Sequence, residues 1–228
     1  GAIGEPLAGH AFMLCCGHET WHPSPEFYYE QGGGPMLDMG PYYVTALINM
    51  LGPVARVSGM ARASFPTRTI ASQPKHGKVI PVETPTHLAG EMEFHSGAIV
   101  HLTTSFDVYP CPLPHIIVYG SEGTLIVPDP NGFGGDVSLK RGHGEPELIA
   151  HTHAYPENTR GLGVLDMAIQ IREGSSGHRA SGALAAHALN VMNAFEESSR
   201  AGTHVAMRTL PSRPAPMPQN GLPPTWRP

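Results

Sequence analysis

Charge is scarce in this chain. Only 14% of the 228 residues are Asp, Glu, Lys or Arg, the formal net charge is −5, and no basic run occurs. A nucleic-acid partner, which needs clustered cations, is therefore not expected. Cysteine is scarcer still. Cys15, Cys16 and Cys111 are odd in number, two of them adjacent, and supply no disulfide framework. They suit a reducing, cytoplasmic compartment. Apolar runs break well short of the ~18 residues that cross a bilayer, so no membrane partner is expected, and no signal-peptide pattern is present. Phosphate loops are missing too. Gly161-Leu162-Gly163 is the nearest approach, with no strand before it and no third glycine at the right place. Gly-x-Ser-x-Gly, Cys-x-x-Cys and His-Glu-x-x-His are absent. The 14 His are scattered, and the two close pairs, His18 with His22 and His151 with His153, lack the acidic or Cys companions of a metal motif. No repeat of solenoid length occurs.

What the chain has in quantity is glycine and proline, 27 and 24 residues, beside 40% apolar residues. That combination gives a real core made of short elements joined by many turns. The organising stretch is Gly32-Gly33-Gly34-Pro35, followed by Asp38 and Tyr42. Backbone without a Cβ approaches another molecule closely, which makes Gly33 and Gly34 candidate binding positions. Pro35 suits the first turn of a helix. Val44, Leu47, Ile48 and Leu51 give that helix one apolar stripe, and Gly52-Pro53 ends it. Asp38 and Tyr42 are four residues apart and share a face if the helix is continuous, but Pro41 should kink it or delay its start. Two readings of the local pattern stand: a small-molecule site built on an acid and a phenol, or a glycine turn with a solvated capping Asp and a core Tyr.

Residues 7–14 read as a first strand. Residues 17–30 are a loop rich in polar and aromatic groups, including His18, Trp21, His22 and Tyr28, which either line a pocket or pack locally. From residue 54 the period changes to two, giving a strand to residue 64, and residues 87–106 form the clearest hairpin, turning at His95-Ser96-Gly97. Short strands follow at 115–119, 124–127, 137–140 and 147–150, with a weaker one at 78–82. Two helices close the fold, one over 161–173 carrying Val164, Leu165, Ala168, Ile169 and Ile171, the other capped by Ser181. The fold class is α+β: an open, mainly antiparallel sheet with helices on one face. Residues 1–206 make up that domain, and 207–228 form a Pro-rich extended tail.

The glycine run, Asp38 and a proton-handling residue four places later resemble the C-terminal domain of the Gfo/Idh/MocA oxidoreductases. Ile3-Gly4-Glu5-Pro6, Gly120-Ser121-Glu122-Gly123-Thr124-Leu125, residues 160–168 and His178-Arg179-Ala180-Ser181-Gly182 are similar to that family as well. The resemblance implies hydride transfer between a substrate carbinol and a nicotinamide. Asp38 would position the substrate hydroxyl and Tyr42 would accept or donate its proton. Most members carry His at that place, and Tyr is the variation of the glucose–fructose branch. A free phenol has a pKa near ~10 and needs nearby positive charge to act as a base. The resemblance also implies that the bare sheet face pairs subunits into a homo-oligomer. The family's Glu-Lys-Pro motif is missing here, so NAD or NADP would be bound mainly by an absent N-terminal domain, and no cofactor is expected on this chain alone. Aromatic and hydroxyl-binding groups suit a sugar or polyol, with His151, His153 and Arg160 near the substrate, although Arg160 also reads as a cap or an ion-pair partner. The competing expectation is a stand-alone binding or dimerisation module without chemistry.

Overall fold

Alternating apolar and polar residues resolve into strands that share one sheet. The computed structural model describes residues 1–157 and 160–222. β1 (Pro6–Leu14) leads through two single-turn 3-10 helices (His18–Thr20 and Glu26–Tyr28) to α1 (Gly34–Asp38) and α2 (Gly40–Leu51). Then come β2 (Val54–Arg62), β3 (Thr67–Thr69), β4 (Val79–Pro81), β5 (His87–Phe94), β6 (Ile99–Ser105), β7 (Ile116–Gly120) and β8 (Thr124–Val127). After a 3-10 turn at Pro130–Gly132, β9 (Ser138–Lys140), β10 (Glu147–Leu148), α3 (Leu162–Arg172), α4 (Gly182–Ala201) and β11 (Val205–Ala206) complete the order. Among the described residues nine strands form one sheet in the order β10-β9-β8-β7-β1-β6-β5-β2-β11, and β3 and β4 form a separate ribbon.

The sheet is antiparallel except where β1 runs parallel to β6, from Ala8 opposite Ile99 to Leu14 opposite Ser105. The expected hairpin is β5–β6, with Ala98, Val100, Leu102, Thr104 and Phe106 all buried. That inner face meets Tyr43, Val44, Leu47 and Ile48 of α2 and Leu184, Val191 and Phe195 of α4. Each such side chain contributes about 1.5–3 kcal/mol by leaving water. Ser181 caps α4 as expected, accepting from the Leu184 N–H at 3.2 Å. The outer face keeps His10, Phe12, His101 and Tyr119 in ring contact with one another, half-exposed.

As the position of Pro41 predicts, the helical stretch behind Pro35 is two helices, broken at Met39, because Pro41 cannot donate to the preceding turn. Most of the apolar residues of α3 are not buried. Val164 and Ile171 are exposed, and the buried residues of that helix are Asp166 and Ile169. Asp166 is held by Arg179, which donates to it from both backbone N–H and guanidinium, so an ion pair and not apolar packing anchors α3.

The tail continues from β11 without further helix or strand as far as residue 222. His187, at 0% exposure, accepts from the Val54 N–H at 3.0 Å and bonds Thr209 at 2.7 Å. Burial pushes its imidazole below the ordinary range, in keeping with that acceptor role. Arg179 also donates to the carbonyls of Ala215 and Pro216. The tail's last prolines, Pro223, Pro224 and Pro228, lie outside the described residues.

Candidate functional site

The break between α1 and α2 places the acid and the phenol. Asp38 is the last residue of α1, and Tyr42 stands in the first turn of α2. Both are half-exposed, and no hydrogen bond joins them among the described residues. Asp38 Oδ2 instead meets His18 Nε2 at 3.3 Å, and the indole N–H of Trp21 reaches His18 Nδ1 at 3.1 Å. Tyr42 packs edge-on against Phe133, with ring centroids 5.8 Å apart.

The loop carrying His18 is tied to its surroundings at several points. Gly17 has φ +97, and a Cβ there would strike the Glu19 carboxylate and the Tyr29 hydroxyl. The His18 N–H donates to that hydroxyl at 3.2 Å, and Tyr29 donates to Glu19. Arg68, from β3, bonds Glu19 at 3.1 Å and also Asp107 at the end of β6. Thr86 donates to the second oxygen of Asp107 at 2.6 Å. Arg68, Glu19 and Asp107 are at most 10% exposed, so the loop is riveted by a buried ionic cluster. Burial, reinforced by the Glu19 hydrogen bond, pushes the Tyr29 phenol well above its ordinary value.

Tyr28 packs at a tilt against His18 and Phe27, with ring centroids 4.2 and 4.1 Å away. Burial, then the charge of Asp38, raises its phenol as well. His22 is engaged locally, accepting from the Ser24 N–H at 3.0 Å and packing on Trp21, Phe27 and Tyr28. Gly33 and Gly34 turn their bare Cα toward the protein itself. A Cβ would meet the carbonyls of Phe27 and Tyr28 at the first and of Pro85 at the second, where φ is +84. The missing side chains serve internal close approach there.

The phenol's surroundings differ. Next to Tyr42, Tyr43 turns inward, donating to Asp129 Oδ1 at 3.1 Å and sharing a 2.9 Å bond with His115 Nδ1. Burial, then Asp129, raises the Tyr43 phenol far above its usual range. Asp129 also accepts from the Asn131 N–H, fixing the turn that carries Phe133. Arg160 lies over Phe133, 4.5 Å from the ring centroid, and donates to Asn131. The structure thus brings Arg160 to the Tyr42 side through Phe133. It does not bring His151 or His153 there. They line a cleft of about 440 Å³ beside Val137, Ile149 and Tyr155, where His151 meets Asp136 at 3.5 Å and both imidazoles are exposed.

Arg68, Glu19, Asp107, Phe106 and Phe133 were not legible as site residues. The one available signal was a lone charge in a charge-poor stretch. No group of three or more metal-ligating side chains occurs among the described residues. Burial pushes the Cys15 thiol up to about 11, so it stays protonated near neutral pH. Gly161 opens α3 with φ +95, and among the described residues no strand leads into it.

The α1–α2 junction of this open α+β sheet domain thus presents an acid and a phenol, both half-exposed. The model of the GFO/IDH/MocA C-terminal domain matches residues 1–126, and the chain belongs to that family. No curated protein sequence matches it. Among solved structures it is similar to the apo form of levoglucosan dehydrogenase, with TM-score 0.73 and 16% identity over 92% of this chain and 61% of that one. Aldose-aldose oxidoreductase from Caulobacter crescentus, complexed with glycerol, gives TM-score 0.68 and 19% identity over 91% and 57%. An oxidoreductase from Agrobacterium radiobacter in complex with NAD+, L-tartaric acid and magnesium gives 0.64 and 18% over 90% and 58%. The chain spans about 60% of such structures, and at these identities the likeness establishes the fold.

Proposed function

We propose that the chain is the substrate-binding and oligomerisation half of an NAD(P)-dependent oxidoreductase acting on a sugar or polyol. The observation that carries this reading is the pair of half-exposed groups at the α1–α2 break, Asp38 and Tyr42, in a member of the GFO/IDH/MocA family. The carboxylate of Asp38 accepts a hydrogen bond from a substrate hydroxyl and orients it. Tyr42 takes or returns the proton at the reacting oxygen. The dinucleotide is assigned to the part of its relatives that this chain does not span. Relatives with L-sorbose, glycerol or tartaric acid bound support a small polyhydroxy substrate. The half-exposed outer sheet face, with Phe12, His10 and Tyr119 at its centre and Ile99 52% exposed, pairs two copies in this reading.

The test is substitution in the full-length enzyme. Tyr42→Phe is expected to lower kcat by at least about 100-fold, the usual scale of an acid–base group, with the oligomer intact by sedimentation. Unchanged turnover removes Tyr42 from the chemistry. Calorimetry of this chain with NAD or NADP is expected to show no tight binding, and tight binding would overturn the division of labour. A second reading is a binding or dimerisation module without chemistry. It is distinguished by a full-length protein that assembles but oxidises no sugar or polyol.

A further inference from the structure

His18 sits between two groups of fixed hydrogen-bonding sense. An indole N–H donates and never accepts. The 3.1 Å contact from Trp21 Nε1 therefore makes His18 Nδ1 the acceptor, a nitrogen without a proton. Neutral His18 then carries its proton on Nε2, the atom 3.3 Å from Asp38 Oδ2, and donates it there. The ring cannot turn over without placing carbon against both partners. Tyr28 and Phe106 pack against it with ring centroids 4.2 and 4.5 Å away, and its backbone N–H is tied to Tyr29. Asp38 is left with one oxygen engaged. No hydrogen bond reaches Oδ1 among the described residues, and the side chain is 32% exposed.

We propose that Trp21 and His18 form a tautomer-locked relay that positions Asp38, holding Oδ2 so that Oδ1 faces a ligand as a pure acceptor. This rests on the reading of Asp38 as the substrate-orienting group, and it deepens that reading. His18 becomes a positioning residue, and Trp21, which touches nothing reactive, sets which nitrogen of His18 holds the proton. An acceptor-only oxygen selects a ligand group that donates, a hydroxyl or an amine. It repels the carboxylate or phosphate of an acidic substrate. The relay therefore assigns the substrate's contacting group to a hydrogen-bond donor, a hydroxyl or an amine.

Nitrogen-15 NMR of the His18 imidazole in this chain, assigned by loss of its signals in His18→Gln, reads the tautomer directly. The Nε2–H form is expected, and Trp21→Phe, at a 61% exposed position that leaves the fold intact, is expected to release it to a mixture of both forms. An Nδ1–H or mixed signal in the unaltered chain, or no change in Trp21→Phe, overturns the relay. In the full-length enzyme, His18→Phe is expected to cut kcat/KM by about ten- to a hundredfold, the worth of a hydrogen bond to a charged group. His18→Gln, which keeps an N–H donor, recovers most of that loss, and failure of this recovery also counts against the proposal. If Asp38→Asn leaves turnover unchanged, the reading of Asp38 fails and the use of the relay falls with it. If Asp38→Asn abolishes turnover while His18 holds its proton on Nδ1, the relay alone fails.

Discussion

Two Tyr-Tyr pairs flank the candidate site, and they divide their work alike but are anchored differently. In Tyr28-Tyr29 and in Tyr42-Tyr43 the first ring is half-exposed, and the second is at most 1% exposed with its hydroxyl donated to a carboxylate. On the first side that carboxylate, Glu19, is neutralised by Arg68 inside a cluster that also holds Asp107 and Thr86. On the second side Asp129 is met by a phenol, a backbone N–H and, across Tyr43, the His115 ring. The acid of the site thus stands on a buried ionic rivet. Its phenol stands on hydrogen bonds to the Asp129 carboxylate and an exposed stack of Phe133 and Arg160.

The contrast breaks most visibly at Arg68. Arg68→Ala leaves Glu19 and Asp107 buried without their cation, and the expected loss is about 3–5 kcal/mol in denaturant unfolding, the scale of an orphaned buried charge. A loss below ~1 kcal/mol would mean that water already screens the cluster. Next come the buried phenols. Tyr43→Phe is expected to cost about 1–2 kcal/mol, since it strips a bond from Asp129 and one from His115. Tyr29→Phe should cost less, because Arg68 still satisfies Glu19. Equal losses would erase the difference in anchoring.

Both buried phenols also predict an alkaline limit. Their folded-state values are raised above the ordinary 10.0. The protonated form is therefore the one the fold favours, and its contribution is full below pH ~10 and is lost as pH rises beyond it. The urea midpoint is expected to fall above pH ~10 and to fall less steeply in Tyr43→Phe. An unchanged pH profile in that variant would show that Tyr43 ionises as freely folded as unfolded.

Much of this was readable from residue order, and what was not has a common cause. Period-two alternation located the β5–β6 hairpin, and Ser181 announced α4. Pro41 warned of the break that separates Asp38 from Tyr42. The parallel pairing of β1 with β6 carries no local signal, for it joins strands some ninety residues apart. Glu19, Arg68 and Asp107 come from three segments, and each alone looks like a surface charge until the chain closes over it. Nor does sequence tell which member of a Tyr-Tyr pair turns inward. That is set by the phase of α2 after Met39 and by a hydroxyl partner supplied from Asp129, far along the chain.

The smallest expected effect sharpens the comparison from the weaker side. Arg160 is exposed, its guanidinium lies 4.5 Å from the Phe133 centroid, and it donates to Asn131. Solvent screens such a cation, so Arg160→Ala should cost no more than about 0.5–1 kcal/mol of stability. Phe133 is in the left-handed region at φ 51 and is held there by the Asp129 turn, so it persists without Arg160, and the Tyr42 contact with it. Arg160→Lys, which keeps the charge and loses the planar stack, should behave like Arg160→Ala. A lysine variant matching the wild-type protein would mean that charge, not the stacked guanidinium, holds this side, and the two sides of the site would then be anchored by the same physics.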